Sequence, residues 1–251
     1  MSATSSSTGA IRGATRRDGG SGGRVGRTVS GLAVALGCVL FLGGFGWAAL
    51  VYRPYTVPTN SMQPTVHPGD KVLAKKVSGS DVRRGDVVVF KDKLWGDLPE
   101  VKRVVGVGGD RVSCCDPQGR LLVDGKPVDE GYLNAGGPAS LTGFETTVPK
   151  GELFLLGDNR AVSEDSRLRL QDAEGGSVPA SDVKGRVEAT AWPLGRMGLL
   201  DRTSAFDALT GGGASSHGPL GLLTVMIIAG AVLIFGGAAY GPLAARWGRR
   251  R

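Results

Sequence analysis

Three stretches of this sequence hold residues that could carry out acyl transfer. In Pro58-Thr59-Asn60-Ser61-Met62-Gln63-Pro64-Thr65, a serine sits in a turn-rich segment just beyond a long apolar run. In Val101-Lys102-Arg103-Val104-Val105-Gly106, a lysine stands among strand-forming residues. Gly157 through Arg167 follows the apolar run Leu153 to Leu156 and is dense in short polar side chains. Read alone, Ser61 is a polar loop residue between prolines and Lys102 a solvated strand residue. Read together, they supply a nucleophile and a base.

A serine hydroxyl becomes a useful nucleophile only when a neighbouring group takes its proton. Histidine usually does this, but His217 lies among glycines and serines and His67 sits in a turn beside Pro68. A lysine is the alternative. Side chains alternate along a strand, so Lys102 shares a face with Val104, and Arg103 shares the other with Val101. An amine turned into apolar surroundings loses the hydration that favours its charged form, which makes it available as a base. In the third stretch, Asp165 and Arg167 can form a charge-assisted pair, and Ser163 could steady a neutral lysine by hydrogen bonding. Asp158, Asp165 and Arg167 are expected to build the site rather than perform its chemistry.

These stretches need a domain to position them. Residues 53–205 read as β structure, with apolar runs at Val72-Leu73-Ala74, Val87 to Phe90, Val101 to Val107, Leu121 to Val123 and Leu153 to Leu156. Pro68-Gly69-Asp70, Arg84-Gly85-Asp86, Gly108-Gly109-Asp110 and Asp124-Gly125-Lys126 read as turns. No helical period of comparable length interrupts them, so the expected class is mostly β, an antiparallel barrel-like or sandwich domain. Residues 30–52 and 219–243 are uncharged and long enough to cross a hydrocarbon core of about 30 Å. A cleaved signal peptide would have a shorter apolar core, closer to the first residue. The expected order is a basic disordered tail (1–29), a first transmembrane helix (30–52), the catalytic domain (53–205), a flexible Gly/Ser linker (206–218), a second transmembrane helix (219–243) and a basic tail (244–251).

The net charge of +7 invites a nucleic-acid reading, but its location argues otherwise. Residues 1–30 and 246–251 together hold nine arginines and one aspartate, more than the whole excess, which leaves the middle slightly acidic. Basic ends flanking apolar spans fit positive charge kept on the cytoplasmic side of a membrane, not a nucleic-acid footprint. Both termini are then cytoplasmic and the domain extracytoplasmic. The partner expected is a lipid bilayer, with no nucleic acid. Of three cysteines, Cys38 falls in the first span, and the adjacent Cys114 and Cys115 could pair with each other, pair between chains or bind nothing. No cysteine spacing suggests a zinc site, and neither a metal nor a cofactor is expected.

With all three stretches in view, the chain resembles type I signal peptidase, the membrane-bound Ser–Lys leader peptidase. The matching segments are Asn60 to Thr65, Arg84 to Phe90, Lys102 to Gly106 with Gly109-Asp110, and Gly157 to Arg167, in family order. The run from Val178-Pro179 through Gly185-Arg186 to Trp192-Pro193 looks like the family's C-terminal strand region. The resemblance implies that Ser61 attacks the scissile carbonyl and Lys102 is the general base. It implies that the Ser61 backbone N–H and the Thr59 hydroxyl form the oxyanion hole. Ser163 would orient the lysine, with Asp158, Asp165, Arg167 and Arg103 supporting the site. The implied substrates are exported preproteins, cut after small residues that follow their signal peptides. Two departures stand out: Gly108 replaces the usual proline before Gly109-Asp110, and Thr59 replaces the more familiar serine or glycine. Rival readings are a self-cleaving repressor-type Ser–Lys peptidase, which the apolar spans disfavour, and a membrane-anchored β module with an inert serine and lysine.

Overall fold

The computed structural model describes residues 21–134, 137–172 and 174–247. The chain divides into two compact units, Met1–Gly44 with Thr224–Arg251, and Phe45–Leu223. Most of the tail expected at 1–29 and the end of that at 244–251 lie outside the described residues.

The first unit is built on two apolar helices, α1 (Ser21–Val51) and α2 (Leu220–Trp247). The stretches Val25–Val51 and Leu220–Pro242 are long and apolar enough to cross a membrane. Helix α1 starts nine residues before the predicted span, because Ser21 to Val29 continues its turns without a proline to stop them. The two helices meet backbone to backbone. A Cβ added at Gly230 would lie 2.6 Å from the Phe41 nitrogen and 2.7 Å from the Gly37 oxygen. The Ser30 hydroxyl donates to the Gly237 carbonyl at 2.7 Å. Small residues permit such close approach where no hydrophobic drive between helices exists. A Cβ at Gly237 would fall 3.2 Å from that of Ala33, near the spacing a disulfide needs. With Cys38 replaced by serine, Ala33→Cys with Gly237→Cys is expected to crosslink on oxidation, and adding Gly230→Leu is expected to abolish the crosslink. A mobility shift on non-reducing gels reads both outcomes.

Every strand pairing described in the second unit is antiparallel. Its strands are β1 (Tyr52–Thr56), β2 (Lys71–Lys75), β3 (Val87–Phe90), β4 (Glu100–Val107), β5 (Arg111–Cys114), β6 (Leu121–Val123), β7 (Lys126–Val128), β8 (Phe144–Thr147), β9 (Glu152–Leu156), β10 (Val178–Pro179), β11 (Val183–Trp192) and β12 (Gly198–Leu199). The large sheet runs β1-β2-β11-β3-β4-β9-β10, with β12 also on β11, and the small one runs β7-β6-β5-β8. Register shifts in β11 and between β4 and β9 mark bulges, which bend and twist a sheet. The mostly β antiparallel class read from the sequence is the one observed.

Each face of the large sheet has its own core. Val57, Met62 and Val66 pack with Val72, Val87, Val89 and Val101. Val88, Phe90, Trp95, Val104, Leu155 and Val183 form a second cluster. A third joins Val105 and Phe154 to Val112, Leu121 and Val123 of the small sheet. Cys114 and Cys115 are disulfide-bonded to each other, one of the alternatives the sequence left open.

The segment 206–218, expected to be a flexible linker, is instead strapped onto the β domain. Phe206, Leu209 and Ala214 are buried. Arg84 donates to the Thr210 carbonyl at 2.8 Å, and Ser215 bonds Asp86 through its N–H at 2.8 Å and its hydroxyl at 2.7 Å. Burial of these apolar anchors outweighs the mobility its Gly/Ser composition suggests.

Candidate active site

Ser61 is positioned by a turn whose apolar side chains point inward. Met62 and Val66 are both 0% exposed, so the turn is fastened to the core immediately after the serine. The Val57 N–H donates to the Asp70 carbonyl at 2.9 Å and the Val66 N–H to the Met62 carbonyl at 3.1 Å. The loop from Gly157 holds the turn from the other side. The Asn159 N–H donates to the Ser61 carbonyl at 2.9 Å, and its side-chain amide to the Asn60 carbonyl at 3.2 Å. Gly157 has no space for a side chain, since a Cβ there would lie 2.1 Å from Ser163 Oγ and 2.5 Å from the Ser61 carbonyl oxygen.

Lys102 lies on β4, in the middle of the large sheet. Its register partner on β3 is Val88, and its neighbour Arg103 pairs with Leu156 of β9. Lys102 is 3% exposed and Ser61 is 7% exposed. Lys102 Nζ stands 3.2 Å from Ser61 Oγ, although 41 residues separate them in sequence. The Thr59 hydroxyl donates to the same oxygen at 3.1 Å and accepts from the Ser61 N–H at 3.5 Å. A cleft of about 450 Å³ opens above them, lined by Val57, Pro58, Trp95, Leu98 and Val162 among others.

Ser163 does not take the place expected of it. Its Oγ is buried with no hydrogen-bond partner, because the turn that ties the Ser163 N–H to the Asn159 carbonyl sets the side chain over Gly157. The amine's second partner is Glu100, with Oε2 at 3.0 Å, a residue that sequence reasoning missed. Neither histidine bonds Ser61: His67 lies against Asp70, 4.0 Å away, and His217 against the Leu200 carbonyl at 2.9 Å.

Beneath the site lies a buried ionic platform. Arg103, 1% exposed, grips Asp158 with Nε at 2.8 Å and Nη2 at 2.7 Å, and Nη1 reaches the Gly85 carbonyl at 2.8 Å. The Thr65 hydroxyl donates to Asp158, which ties the end of the nucleophile turn to this pair. Burial opposes charge on Arg103, but Asp158 outweighs it and holds the guanidinium above its ordinary pKa. The guanidinium also stacks 3.9 Å from the Tyr132 ring centre; burial and then Glu130 raise the phenol of that tyrosine. Asp165 accepts from the Gly157 N–H at 3.0 Å and from Arg167 Nε and Nη2, each at 2.8 Å. Arg160, also missed, clamps Glu130 at 2.6 and 2.7 Å and donates to the Gly157 carbonyl at 3.0 Å. Its position inside the third motif was the available signal; nothing local marked Glu130.

A hydroxyl in contact with an amine at the base of a cleft, with no imidazole in reach, has the chemistry of a serine peptidase site. The model of the family described as signal peptidase, peptidase S26, matches residues 27–192. The chain is 32% identical to the probable signal peptidase I of Mycobacterium leprae, over 59% of this chain and 71% of that protein. It is 33% identical to signal peptidase I of Mycobacterium tuberculosis H37Rv, over 60% of this chain and 68% of that protein. A solved signal peptidase I from Enterococcus faecalis V583 aligns at 27% identity over 41% of this chain and 94% of that chain, with a TM-score of 0.34. The chain belongs to the signal peptidase family, peptidase S26, and is a serine peptidase.

Proposed function

We propose that this chain removes N-terminal signal peptides from exported preproteins through a Ser61–Lys102 dyad and an acyl-enzyme. The observation that carries the dyad is the 3.2 Å contact between Lys102 Nζ and Ser61 Oγ, with both residues buried. Lys102, once neutral, takes the Ser61 proton as Oγ attacks the scissile carbonyl. The developing oxyanion is held by the Ser61 N–H and, after it swings off Ser61 Oγ, the Thr59 hydroxyl. Lys102 then returns the proton to the departing amine. It next deprotonates a water, which attacks the Ser61 ester, and it passes that proton to Ser61 Oγ as the acyl bond breaks and the signal peptide's new carboxylate is freed. Arg103, Asp158, Asp165 and Arg167 hold the nucleophile turn, β4 and the loop from Gly157 in place and touch no reacting atom.

The cleft suits an extended apolar segment, because valine, leucine, proline and tryptophan are among the residues that line it. We place the chain in a cell membrane through α1 and α2, whose apolar windows are only 11% and 17% buried within the protein. Core helices of soluble proteins are far more enclosed. Arginine-rich ends put both termini in the cytoplasm and the β domain outside. The partners are preproteins and the lipid bilayer, with no part for nucleic acid. The test is incubation of a purified preprotein with the full chain in detergent, followed by sequencing of the new N-terminus. A single cut after a small residue at the end of the signal peptide is the expected result, and cleavage elsewhere or none by folded protein overturns the reading.

A further inference from the structure

Among the described residues, the amine of Lys102 has two polar partners, Ser61 Oγ at 3.2 Å and Glu100 Oε2 at 3.0 Å. We propose that Glu100 is the positioning residue for the dyad lysine, holding its amine at Ser61. The inference rests on the Ser61–Lys102 reading above.

A lysine side chain has four rotatable bonds and loses considerable rotamer freedom when one geometry is enforced. Ser163, expected to enforce it, offers no bond. Glu100 lies two residues before Lys102 on β4, so both side chains leave the strand on the same face. The carboxylate is partly exposed to the cleft, at 27%, while the amine is enclosed, at 4%. The amine is therefore tethered from the open side by a group that can itself remain hydrated.

Ser61 Oγ lies within hydrogen-bond reach of both the Thr59 hydroxyl and the Lys102 amine. The other groups lining this cleft leave Glu100 as the dominant charge at the amine. The 57–61 turn contributes Val57, Pro58, Thr59, Asn60 and Ser61, the 95–99 segment contributes uncharged Trp95, Leu98 and Pro99, and the remaining acid, Glu164, is exposed. On β3 the residue opposite Lys102 is Val88.

Glu100→Gln keeps an oxygen acceptor for the amine, whereas Glu100→Ala removes it. The experiment measures kcat and KM for preprotein cleavage with the full chain in detergent, for wild type, Glu100→Gln, Glu100→Ala and Lys102→Met. For Glu100→Gln, kcat is expected within about threefold of wild type. For Glu100→Ala, kcat is expected to fall about tenfold at unchanged KM, the mark of a misplaced base. Equal kcat for wild type and Glu100→Ala, with Lys102→Met inactive, overturns the inference and leaves the dyad standing. An effect on KM alone overturns it too. Cleavage by Lys102→Met would remove the dyad reading beneath it. If the alanine variant does not fold, Glu100→Leu, which offers the amine no acceptor, takes its place.

Discussion

Ser61→Ala and Lys102→Met are each expected to lower preprotein cleavage by about 10⁴-fold or more. Neither should lower the unfolding temperature by more than a few degrees. Ser61 loses one small polar group at the edge of the core, and methionine fills nearly the volume of a lysine stem. Ser61 without a proton acceptor is an ordinary alcohol, and Lys102 without Ser61 has no bond to make to the substrate. Each removal stops the same step, so the double variant is expected to be no slower than either single one. Independent contributions would instead multiply. Lys102→Arg is expected to be equally inactive, because a guanidinium does not give up its proton at any workable pH. Cleavage rates for the four proteins, with circular dichroism to confirm folding, decide the matter. Retained cleavage by Lys102→Met with Ser61→Ala inactive would assign the proton transfer to a different group.

The parts of this fold that were legible were those with local causes. The runs Val87 to Phe90, Val101 to Val107 and Leu153 to Leu156 became β3, most of β4 and most of β9, because their apolar residues need both faces of a sheet covered. The turn at Gly85 was readable for a similar reason. Its φ of +89° suits glycine, and a Cβ there would crowd Thr203 and Phe206. Ser61 and Lys102 could be named as a pair, although their meeting depends on strand pairing that no local pattern specifies.

What escaped was set by tertiary context. Glu100 reads as the exposed start of a strand until Lys102 Nζ is seen beside it. Ser163 has the right chemistry for a lysine partner, but a one-turn bond to Asn159 turns its hydroxyl elsewhere. The glycines and serines of 206–218 read as a linker, while the residues that dock it, Phe206 and Leu209, are few and show no periodicity. The Glu130–Arg160 clamp joins positions 30 apart with no shared periodicity. In each case composition described the segment correctly and its neighbours decided the outcome.

Asp158→Asn is expected to cost about 3–5 kcal/mol of stability, the usual penalty for leaving a buried charge without its partner. For a unit of this size that is a fall in unfolding temperature on the order of 10 °C. Arg103 is 1% exposed and Asp158 is 2% exposed. An asparagine retains one acceptor oxygen but no charge, so the guanidinium keeps its desolvation cost and loses most of what offsets it. Replacing both partners should behave differently. Arg103→Met with Asp158→Leu removes the charge and its counter-charge together, and such apolar substitutions are often neutral or better, so the double variant is expected to unfold above Asp158→Asn. Thermal unfolding followed by tryptophan fluorescence tests the order, and a single variant as stable as wild type would mean that Arg103 finds another counter-charge. Activity should not follow stability in this pair. The Thr65 hydroxyl is bonded to Asp158, and Lys102 directly precedes Arg103 on β4. The double variant therefore regains stability but not the anchor of the nucleophile turn, and it is expected to remain roughly 10²-fold slower than wild type at a temperature where both are folded. A buried ion pair that two apolar residues could replace for stability, but not for rate, is one kept for the geometry it imposes on Ser61 and Lys102.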